Sequence, residues 1–388
     1  MEILVYQIKN TCLELLAVCD DATSILWKHR FYSEGTFNIV VPATLDNINI
    51  FTKNHVVELM KPNLAKISNR SNSCGIITSV NIASSDNGEF ITVDGISFDG
   101  MLDRRILLEW KSSDTVMQTI CKNAGPLALE GRRFEATMFD DTLDCPGVYN
   151  QSMKYKKLSE YVQSVGQAAG WGVQSCIVHN EVGEDNKTLE PYILMYGKYV
   201  VDRSVTQQVN HPVVFSDMYE NAINFEHAYD ENGSINAAII VSPSQFDMSK
   251  HIDISRYIGF FDNNSSGYSR IEKYQEIAPV TTTQARGSEK PVLWEVLDEF
   301  ATEKMAKKVS DTMYVLPTNN FTCEIVLQRD WEEIFEVGDI VTVQCQAWGR
   351  SENKCVTEVT EFYDANSAEI TATLGEPSKS LLEILANK

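Results

Sequence analysis

The chain has 388 residues, of which 43% are hydrophobic and 22% charged, which excludes a largely disordered protein and leaves room for about two to four folded domains. Its 33 basic and 54 acidic side chains give a net charge of −21, which excludes bulk attraction to nucleic acid, because phosphate binding needs clustered basic side chains. Such a surface either keeps the protein soluble or keeps it from adhering to a polyanion, as a conduit for DNA would require.

The N-terminus and the cysteines bear on where the protein resides. Residues 1–6 include no basic segment, and the apolar run 13–18 is interrupted by Glu14 and is too short for a signal peptide. No apolar stretch approaches the length of a membrane span, so we expect the protein to be made and to stay soluble in the cytoplasm, with no stable membrane insertion. The nine cysteines are irregularly spaced without a C-x-x-C pair, which argues against a disulfide framework or a zinc site.

Residues 1–110 have the pattern of short strands separated by turns. The segment 35–42 alternates between apolar and polar residues and ends at a proline. Two further apolar runs, 76–82 and 89–93, flank Asn87 and Gly88, a dipeptide that supplies the positive φ of a hairpin turn. Several short strands with regular turns predict a sandwich or a barrel.

Residues 111–171 predict two helices. Ser113 and Asp114 are placed to cap the first, which ends at Gly125, and the second ends at Gly170. The apolar faces would comprise Val116, Met117, Ile120 and Cys121 in the first helix and Leu158, Tyr161, Val162, Val165 and Ala169 in the second.

Residues 172–290 predict a mixed β region with an exposed loop insertion. The runs 223–229 and 235–241 flank Asp230 and Gly233, which predicts a hairpin. The stretch 244–290 is rich in Ser, Asn, Thr and Gly and reads as an exposed insertion. Its larger aromatic side chains, which a fold must still pack, are Phe260, Phe261, Tyr268 and Tyr274.

Residues 291–378 predict a long helix followed by a second set of strands, and 379–388 a C-terminal tail. The helix would begin after Pro291 and pack its apolar stripe on a sheet as core. That stripe comprises Leu293, Val296, Leu297, Phe300, Ala301 and Met305.

The last part of the chain repeats the first. Residues 54–59 read like 338–343, residues 77–80 like 356–359, and residues 91–92 like 370–371. The order of strands and turns is the same in both, which predicts two similar β units per chain. Three chains would then present six similar units in a ring, because head-to-tail interfaces can close by rotation.

The segment 95–106, which reads GISFDGMLDRRI, resembles the G-x-x-x-x-x-x-L-x-R-R junction of the siphophage tail-hub family. These are distal tail proteins that also occur in contractile, phage-tail-like bacteriocin particles. The lead-in 35–42 and the C-terminal segments 337–343 and 370–375 are similar as well. The resemblance extends over residues 1–110 and 290–378, and over the middle of the chain only by layout.

The resemblance implies an α+β, mainly β, fold with two tube-like antiparallel β-barrel domains and a helical or mixed middle region. The first barrel would be 1–110 and the helical segment 111–171. The mixed region would be 172–290, and the helix with the second barrel 291–378.

The resemblance also implies a structural hub protein without enzymatic activity. A homotrimer would join the hexameric tail tube to a trimeric spike or tip protein, around the end of the tape-measure protein and beside other baseplate proteins. It would lie at the distal end of a phage tail or tail-like particle, without direct binding to nucleic acid.

A search for chemistry finds no catalytic, cofactor or metal motif: G-x-S-x-G, H-E-x-x-H, the Walker loop and G-x-G-x-x-G are all missing from the sequence. Asp230-x-Asn232-Gly233 opens like a calcium loop but lacks the closing glutamate, so a hairpin turn is favoured. His179, Glu181, Glu184 and Asp185 lack ligand spacing, which favours a solvated loop.

The candidate interface residues are Arg104, Arg105 and Trp348. Arginine and tryptophan are enriched at protein interfaces, so the two arginines are expected to face a partner subunit. Pairing with Asp99, Asp103 or Glu109 in the same chain is an equally open interpretation. Trp348 is either an exposed docking tip or a side chain that closes the end of its own barrel.

Two other functions remain open. A receptor- or carbohydrate-binding protein of the tail tip would carry an aromatic-lined shallow site, for which the 244–290 insertion is the place. A peptidoglycan hydrolase would need a carboxylate pair or a Cys/His pair, and the sequence presents neither in a recognisable pattern.

Overall fold

The computed structural model describes residues 1–9, 11–60, 70–85, 88–109, 111, 113–147, 153–179, 190–242, 246–247, 252–253, 256–263, 266–286, 292–316, 318–327, 331–364 and 367–375. The protein is mainly β, as the sequence predicts. The chain divides into two compact units, the first formed by Met1–Phe225 with Cys323–Lys388 and the second by Glu226–Thr322. No cysteine in the described residues forms a disulfide.

The described strands are numbered in chain order. They are β1 Glu2–Lys9, β2 Cys12–Cys19, β3 Ser24–Arg30, β4 Thr36–Pro42, β5 Val56–Met60, β6 Arg70–Ser71, β7 Cys74–Ser85, β8 Gly88–Ile96, β9 Thr137–Asp140, β10 Trp171–Val178, β11 Tyr192–Tyr199, β12 Val214–Ser216, β13 Ala222–Asp230, β14 Ala237–Ser242, β15 Phe246–Asp247, β16 Ile252–Asp253, β17 Tyr257–Asp262, β18 Glu272–Glu276, β19 Thr281–Arg286, β20 Val292–Leu297, β21 Thr318–Val326, β22 Ile340–Cys345, β23 Arg350–Asp364 and β24 Ala368–Gly375.

The described α-helices are α1 Leu45–Ile50, α2 Val116–Asn123, α3 Leu158–Ala169 and α4 Glu299–Met313. Short 3-10 helices cover Phe98–Arg104, Asp217–Tyr219, Gly267–Ser269, Trp331–Glu333 and Gln346–Trp348.

The main sheet has 13 strands and contains strands from both ends of the chain. Its order is β13-β21-β24-β23-β3-β4-β8-β7-β5-β1-β2, with β22 pairing β23 and β12 pairing β22. Strands from both segments that the sequence predicts as barrels therefore share one sheet, and the contact that joins them is the antiparallel pair β3 and β23.

The core of the first unit follows from alternation along these strands. Strand β4 buries every second side chain, and Phe37 stacks on Trp27 of β3 with 4.8 Å between ring centroids. The predicted hairpin at Asn87 and Gly88 is confirmed, because β7 and β8 pair antiparallel with Ser85 opposite Gly88.

The internal repeat is confirmed at the level of strand pairing. β5, β7 and β8 pair in the same order and direction as β22, β23 and β24. The pairing of β7 with β8 shifts by one residue between Ile77 and Ser79, and that of β23 with β24 shifts between Val356 and Glu358. A β-bulge at the same place in both repeats supports a common plan, since bulges re-aim the strand that follows.

Main-chain contacts at the start of each repeat also correspond. The Asn54 N–H donates to the Ile77 carbonyl at 3.0 Å, and the Gly338 N–H donates to the Val356 carbonyl at 2.7 Å. Both donor residues have positive φ, 71° at Asn54 and 98° at Gly338. Asparagine and glycine are the residues that tolerate this conformation best.

The two predicted helices of the middle segment are present, with one corrected cap. The N-cap of α2 is Thr115, whose hydroxyl accepts from the Gln118 N–H in a capping box, and not Ser113 or Asp114. Asp114 instead forms an ion pair with Lys122, with 2.6 Å between Oδ1 and Nζ. Helix α3 buries its predicted face and ends at Gly170 with φ 63°.

The predicted helix after Pro291 is wrong in its first seven residues. Val292–Leu297 is strand β20, which pairs antiparallel with β19, and α4 begins at Glu299 with Asp298 as its N-cap. Phe300 and Met305 are exposed, and the buried face of α4 is Thr302, Ala306, Ser310 and Met313. The short apolar run 292–297 fits a strand as well as a helix, and pairing with β19 decides between them.

The second unit contains a three-stranded sheet, β17-β14-β18, and a four-stranded sheet, β15-β16-β20-β19. Ala306 and Met313 of α4 pack with Ala238 and Ile240 of β14. The predicted hairpin of 223–229 with 235–241 is wrong, because β13 and β14 belong to different sheets. The turn itself is present: the Asn232 N–H donates to Asp230 Oδ1 at 2.8 Å, and Gly233 has φ 82°.

Candidate functional site

The contact between the two repeats is the candidate functional site, because it shows how one repeat binds the next. β23 and β3 pair antiparallel over seven residue pairs, from Glu358 opposite Arg30 to Asp364 opposite Ser24. Arg30 Nε donates to Glu358 Oε2 at 2.5 Å, and Lys28 Nζ lies 3.8 Å from Glu358 Oε1. Hydrogen bonds to Arg30 and the charges of Arg30 and Lys28 hold the pKa of Glu358 below its ordinary value, despite the opposing effect of burial.

A buried carboxylate lies at the centre of this junction. Glu361 is 0% exposed and accepts hydrogen bonds from Trp331 Nε1 at 2.7 Å and from the Tyr363 hydroxyl at 3.0 Å. His29 Nε2 lies 3.6 Å from the same carboxylate. The sequence gives no signal for this cluster, because strand pairing alone brings residues from the two ends of the chain together.

The cluster also contains the elements of a cation site. Ligand atoms of His29, Glu332 and Glu361 lie within 4.8 Å of one another. Both oxygens of Glu361 accept protein hydrogen bonds, so this carboxylate is satisfied as part of a polar contact between the strands, whereas His29 Nε2 is buried without a hydrogen-bond partner among the described residues. We therefore assign the cluster to the inter-repeat contact.

The edges of the main sheet differ between the repeats. The C-terminal half of β23 is covered by β3, and Val359, Glu361 and Tyr363 are buried. The corresponding half of β7, residues 79–84, is largely exposed, with Ile82 52% exposed. Among the described strands, none pairs with this half of β7 except β8, and the sheet order begins at β13.

The structure places Arg104 and Arg105 at the end of the 3-10 helix Phe98–Arg104. Arg104 is exposed, whereas Arg105 donates from Nε to the Arg132 carbonyl at 2.8 Å and lies over the Phe134 ring at 4.5 Å. Burial, together with the charge of Arg132, lowers the pKa of Arg105. These contacts of Arg105 are with carbonyl groups and an aromatic ring, not with the three acids considered from the sequence.

Two of those acids, Asp99 and Asp103, have other partners. Asp103 pairs with Lys157 at 2.7 Å, and the Ser175 hydroxyl donates to Asp99 Oδ1 at 2.9 Å. Burial raises the pKa of Asp99 to about 6 from an ordinary value of 3.8. An interface role for the exposed Arg104 stays a prediction.

The raised pKa of Asp99 predicts a pH-dependent stability. The folded chain holds a proton on Asp99 at pH values where the unfolded chain has released it. The resulting stabilisation is present below about pH 4 and is lost as the pH rises through about 6. Between pH 4 and pH 8, we expect the free energy of unfolding of the wild type to fall by about 2 kcal/mol more than that of Asp99→Asn.

Urea unfolding of both proteins at the two pH values measures this difference. Asparagine keeps the acceptor for Ser175 and does not titrate, so it isolates the charge. If the free energies of unfolding of the two proteins changed equally with pH, Asp99 would have an ordinary pKa in the folded chain.

Trp348 lies at the end of the 3-10 helix Gln346–Trp348 and is 51% exposed. Its ring lies edge-on to Phe225 of β13, with 6.4 Å between centroids. Asp217 fixes this segment by accepting from the Gln346 N–H at 3.1 Å and the Ala347 N–H at 3.3 Å, and these hydrogen bonds lower its pKa. Trp348 is therefore an exposed residue beside β13.

His179 is partly exposed but pairs with a buried carboxylate, so it is not part of a solvated loop. Its Nε2 lies 2.9 Å from Glu58 Oε1, and Glu58, 1% exposed, also accepts from the Tyr6 hydroxyl at 2.8 Å. Glu181, Glu184 and Asp185 lie outside the described residues.

The 244–290 insertion exposes a row of apolar side chains. Phe260 of β17 and Tyr274 of β18 both lie opposite Ile239 of β14, on one face of the three-stranded sheet. Phe260 is 70% exposed, and Tyr274 and Tyr268 are exposed as well, whereas Phe261 packs in the core as expected. The expectation that all four aromatics are packed is therefore wrong for three of them.

None of the helices in the described residues has the length and apolarity that a membrane crossing requires.

Comparison with known protein families identifies one family. The model of the family described as Siphovirus ReqiPepy6 Gp37-like protein matches residues 5–376. No curated protein matches the chain.

Two solved structures share the fold. The tail protein from Neisseria meningitidis MC58 is 11% identical with a TM-score of 0.52, over 97% of this chain and 96% of that one. The 43 kDa tail protein of prophage MuSo2 from Shewanella oneidensis is 10% identical with a TM-score of 0.50, over 97% and 99%. At such identities the likeness is one of fold.

Proposed function

The chain belongs to the Siphovirus ReqiPepy6 Gp37-like protein family, a family of phage tail proteins, and we propose that it is the structural hub that joins the tail tube to the spike or tip. The observation that carries the proposal is the tandem repeat within one sheet. Two similar sets of strands lie side by side and are joined head to tail by β23 and β3.

A tandem repeat of this kind lets a three-fold assembly bind a six-fold one. Three chains with two repeats each present six similar units to a hexameric tube and three identical chains to a trimeric spike. Head-to-tail contacts generate a closed ring when the rotation that relates one subunit to the next adds up to a full turn. The proposed partners are accordingly a homotrimer of this chain, the tail tube protein, the spike or tip protein, the tape-measure protein and other baseplate proteins.

The charge of the chain suits this role. A net charge of −21 repels a polyanion, so a ring of such chains would let DNA pass without binding it. We propose that the hub acts through assembly alone, with no catalysis and no cofactor. In a virion it would lie at the distal end of the tail.

Location in the particle tests the proposal. Purified tails would be labelled with gold-conjugated antibodies against this chain and imaged in negative stain. We expect label at the distal end only. Label along the tube, or only on side fibres, would contradict the hub role.

A second candidate function rests on the exposed aromatic side chains Phe260 and Tyr274, which lie on either side of Ile239. Aromatic faces on a shallow sheet are suited to stacking on sugar rings, which favours a receptor- or carbohydrate-binding role at the tail tip. Binding of the isolated chain to a glycan array, lost in Phe260→Ala but kept in Trp348→Ala, would favour this function. Equal binding by both variants would count against a site on this sheet.

A further inference from the structure

We infer that β13 of one chain adds to the exposed edge of β7 in a second copy, antiparallel, with Ile82 opposite Phe225. The inference rests on the proposed trimeric hub and specifies its subunit contact. It follows from the order of strands in the main sheet and from the way the two repeats already bind each other inside one chain.

The sheet consists of two similar four-strand sets in tandem. The set β13-β21-β24-β23 is followed by the set β3-β4-β8-β7. Within each set the pairings correspond: Ile325 lies opposite Ala372 as Ile39 lies opposite Val93. β13 therefore holds the place of β3, and β7 the place of β23.

The contact between the sets supplies the template. The last strand of the first set, β23, binds the first strand of the second set, β3. The last strand of the second set is β7, and the first strand of the next chain's first set is β13. Repeating the same contact between chains therefore joins β7 to β13 and continues the sheet head to tail.

The difference in exposure supports this continuation. Residues 79–84 of β7 are largely exposed, whereas the corresponding residues of β23 are covered by β3. An exposed strand edge is a template for pairing with another chain, and proteins that stay monomeric protect such edges. β13 is also largely exposed along its length, as expected of a strand that is available to pair with another chain.

The register follows from equivalent residues. The matching bulges make Ile77 equivalent to Val356, so Ile82 is equivalent to Glu361. Asn224 of β13 donates to Glu324 of β21, and the rings of His227 and Phe321 lie 6.5 Å apart, which places Phe225 opposite Cys323. Trp27 lies opposite Phe37 in the same way, so Phe225 is equivalent to Trp27.

Since Glu361 lies opposite Trp27, Ile82 would lie opposite Phe225. The neighbouring pairs would be Asn81 with Glu226 and Ser79 with Ala228. Trp348, which packs beside Phe225, would lie next to this contact.

One local feature of β13 fits the same register. Asn224 has φ 52° within the strand, which is the backbone of a bulge. Its side chain donates to Glu324 Oε2 at 2.7 Å, which holds the strand to β21. The regular part of β13, beginning at Phe225, is then the part available for the second copy.

Disulfide trapping in the full-length protein tests the register. Asn81→Cys with Glu226→Cys places two cysteines opposite each other across the proposed contact, within the Cα distance that a disulfide spans. Ile82→Cys with Glu226→Cys is the matched control, because a one-residue offset points the side chains to opposite faces. After mild oxidation, non-reducing electrophoresis would compare both variants with wild type.

We expect two-chain and three-chain species from the first variant at a yield about tenfold above the control. Asn81→Cys alone should give none, since a head-to-tail contact never places a residue opposite itself. Ser79→Cys with Ala228→Cys is a second test pair if the first variant does not fold.

The outcomes separate this inference from the proposed function. A trimer by mass without specific cross-linking would overturn the register and leave the hub role standing. Cross-linking of Asn81→Cys with itself would show a two-fold contact and overturn the inference. A chain that stays monomeric would overturn both the inference and the hub role.

Discussion

Glu361→Ala is expected to lower the free energy of unfolding by about 3 kcal/mol. The carboxylate is fully buried and accepts from Trp331 and Tyr363, so its removal withdraws one acceptor from two buried donors at once. It also leaves a cavity in the strand pair that joins the repeats. Urea unfolding followed by tryptophan fluorescence measures the change.

Glu361→Gln is the matched control for this experiment. Glutamine keeps the volume and one oxygen acceptor, so the expected loss is about 1 kcal/mol. A loss of less than about 1 kcal/mol in Glu361→Ala would show that the cluster does not hold the two repeats together.

Gly338→Ala is expected to lower the free energy of unfolding by about 3 kcal/mol, because two destabilising effects add. Gly338 has φ 98°, a conformation that costs an L residue about 1–2 kcal/mol. A Cβ atom there would also lie 2.4 Å from the Phe31 ring, which is buried and cannot move freely. Thermal or urea unfolding of the variant measures the sum.

Gly349→Ala separates the two effects. Gly349 has φ 61°, but a Cβ atom there would meet nothing within 4 Å. We expect this control to lower the free energy of unfolding by about 1 kcal/mol. The difference between the losses in Gly338→Ala and Gly349→Ala then measures the steric effect of the contact with Phe31. Equal losses in the two variants would contradict the steric argument.

Local signals predicted the parts of the fold that local interactions decide. Gly88 has a positive φ of 123°, and β7 and β8 form the predicted hairpin there. The repeat was also readable, because the spacing from 77 to 92 equals that from 356 to 371 and the bulges fall at matching residues. Helix α3 carries its own apolar stripe and a glycine stop.

Long-range pairing decided what the sequence left ambiguous. Residues 292–297 are a short apolar run that fits a strand or a helix, and pairing with β19 makes them a strand. The turn at Asp230 forms as predicted, but β13 and β14 join different sheets, which the turn residues do not encode.

The candidate site was the least predictable part. Glu361, Trp331 and His29 carry no motif, and they meet only because β3 pairs with β23. Of the residues singled out from the sequence, Trp348 lies beside the proposed contact strand and Arg104 is exposed elsewhere in the first unit. An interface between copies leaves no local pattern beyond an exposed edge.

The mass of the purified chain tests the central claim most directly. Light scattering after size exclusion, over a range of concentrations, should give about three times the chain mass of 43.7 kDa, because three chains with two repeats each close the proposed ring. A mass of one chain at every concentration would contradict the hub account.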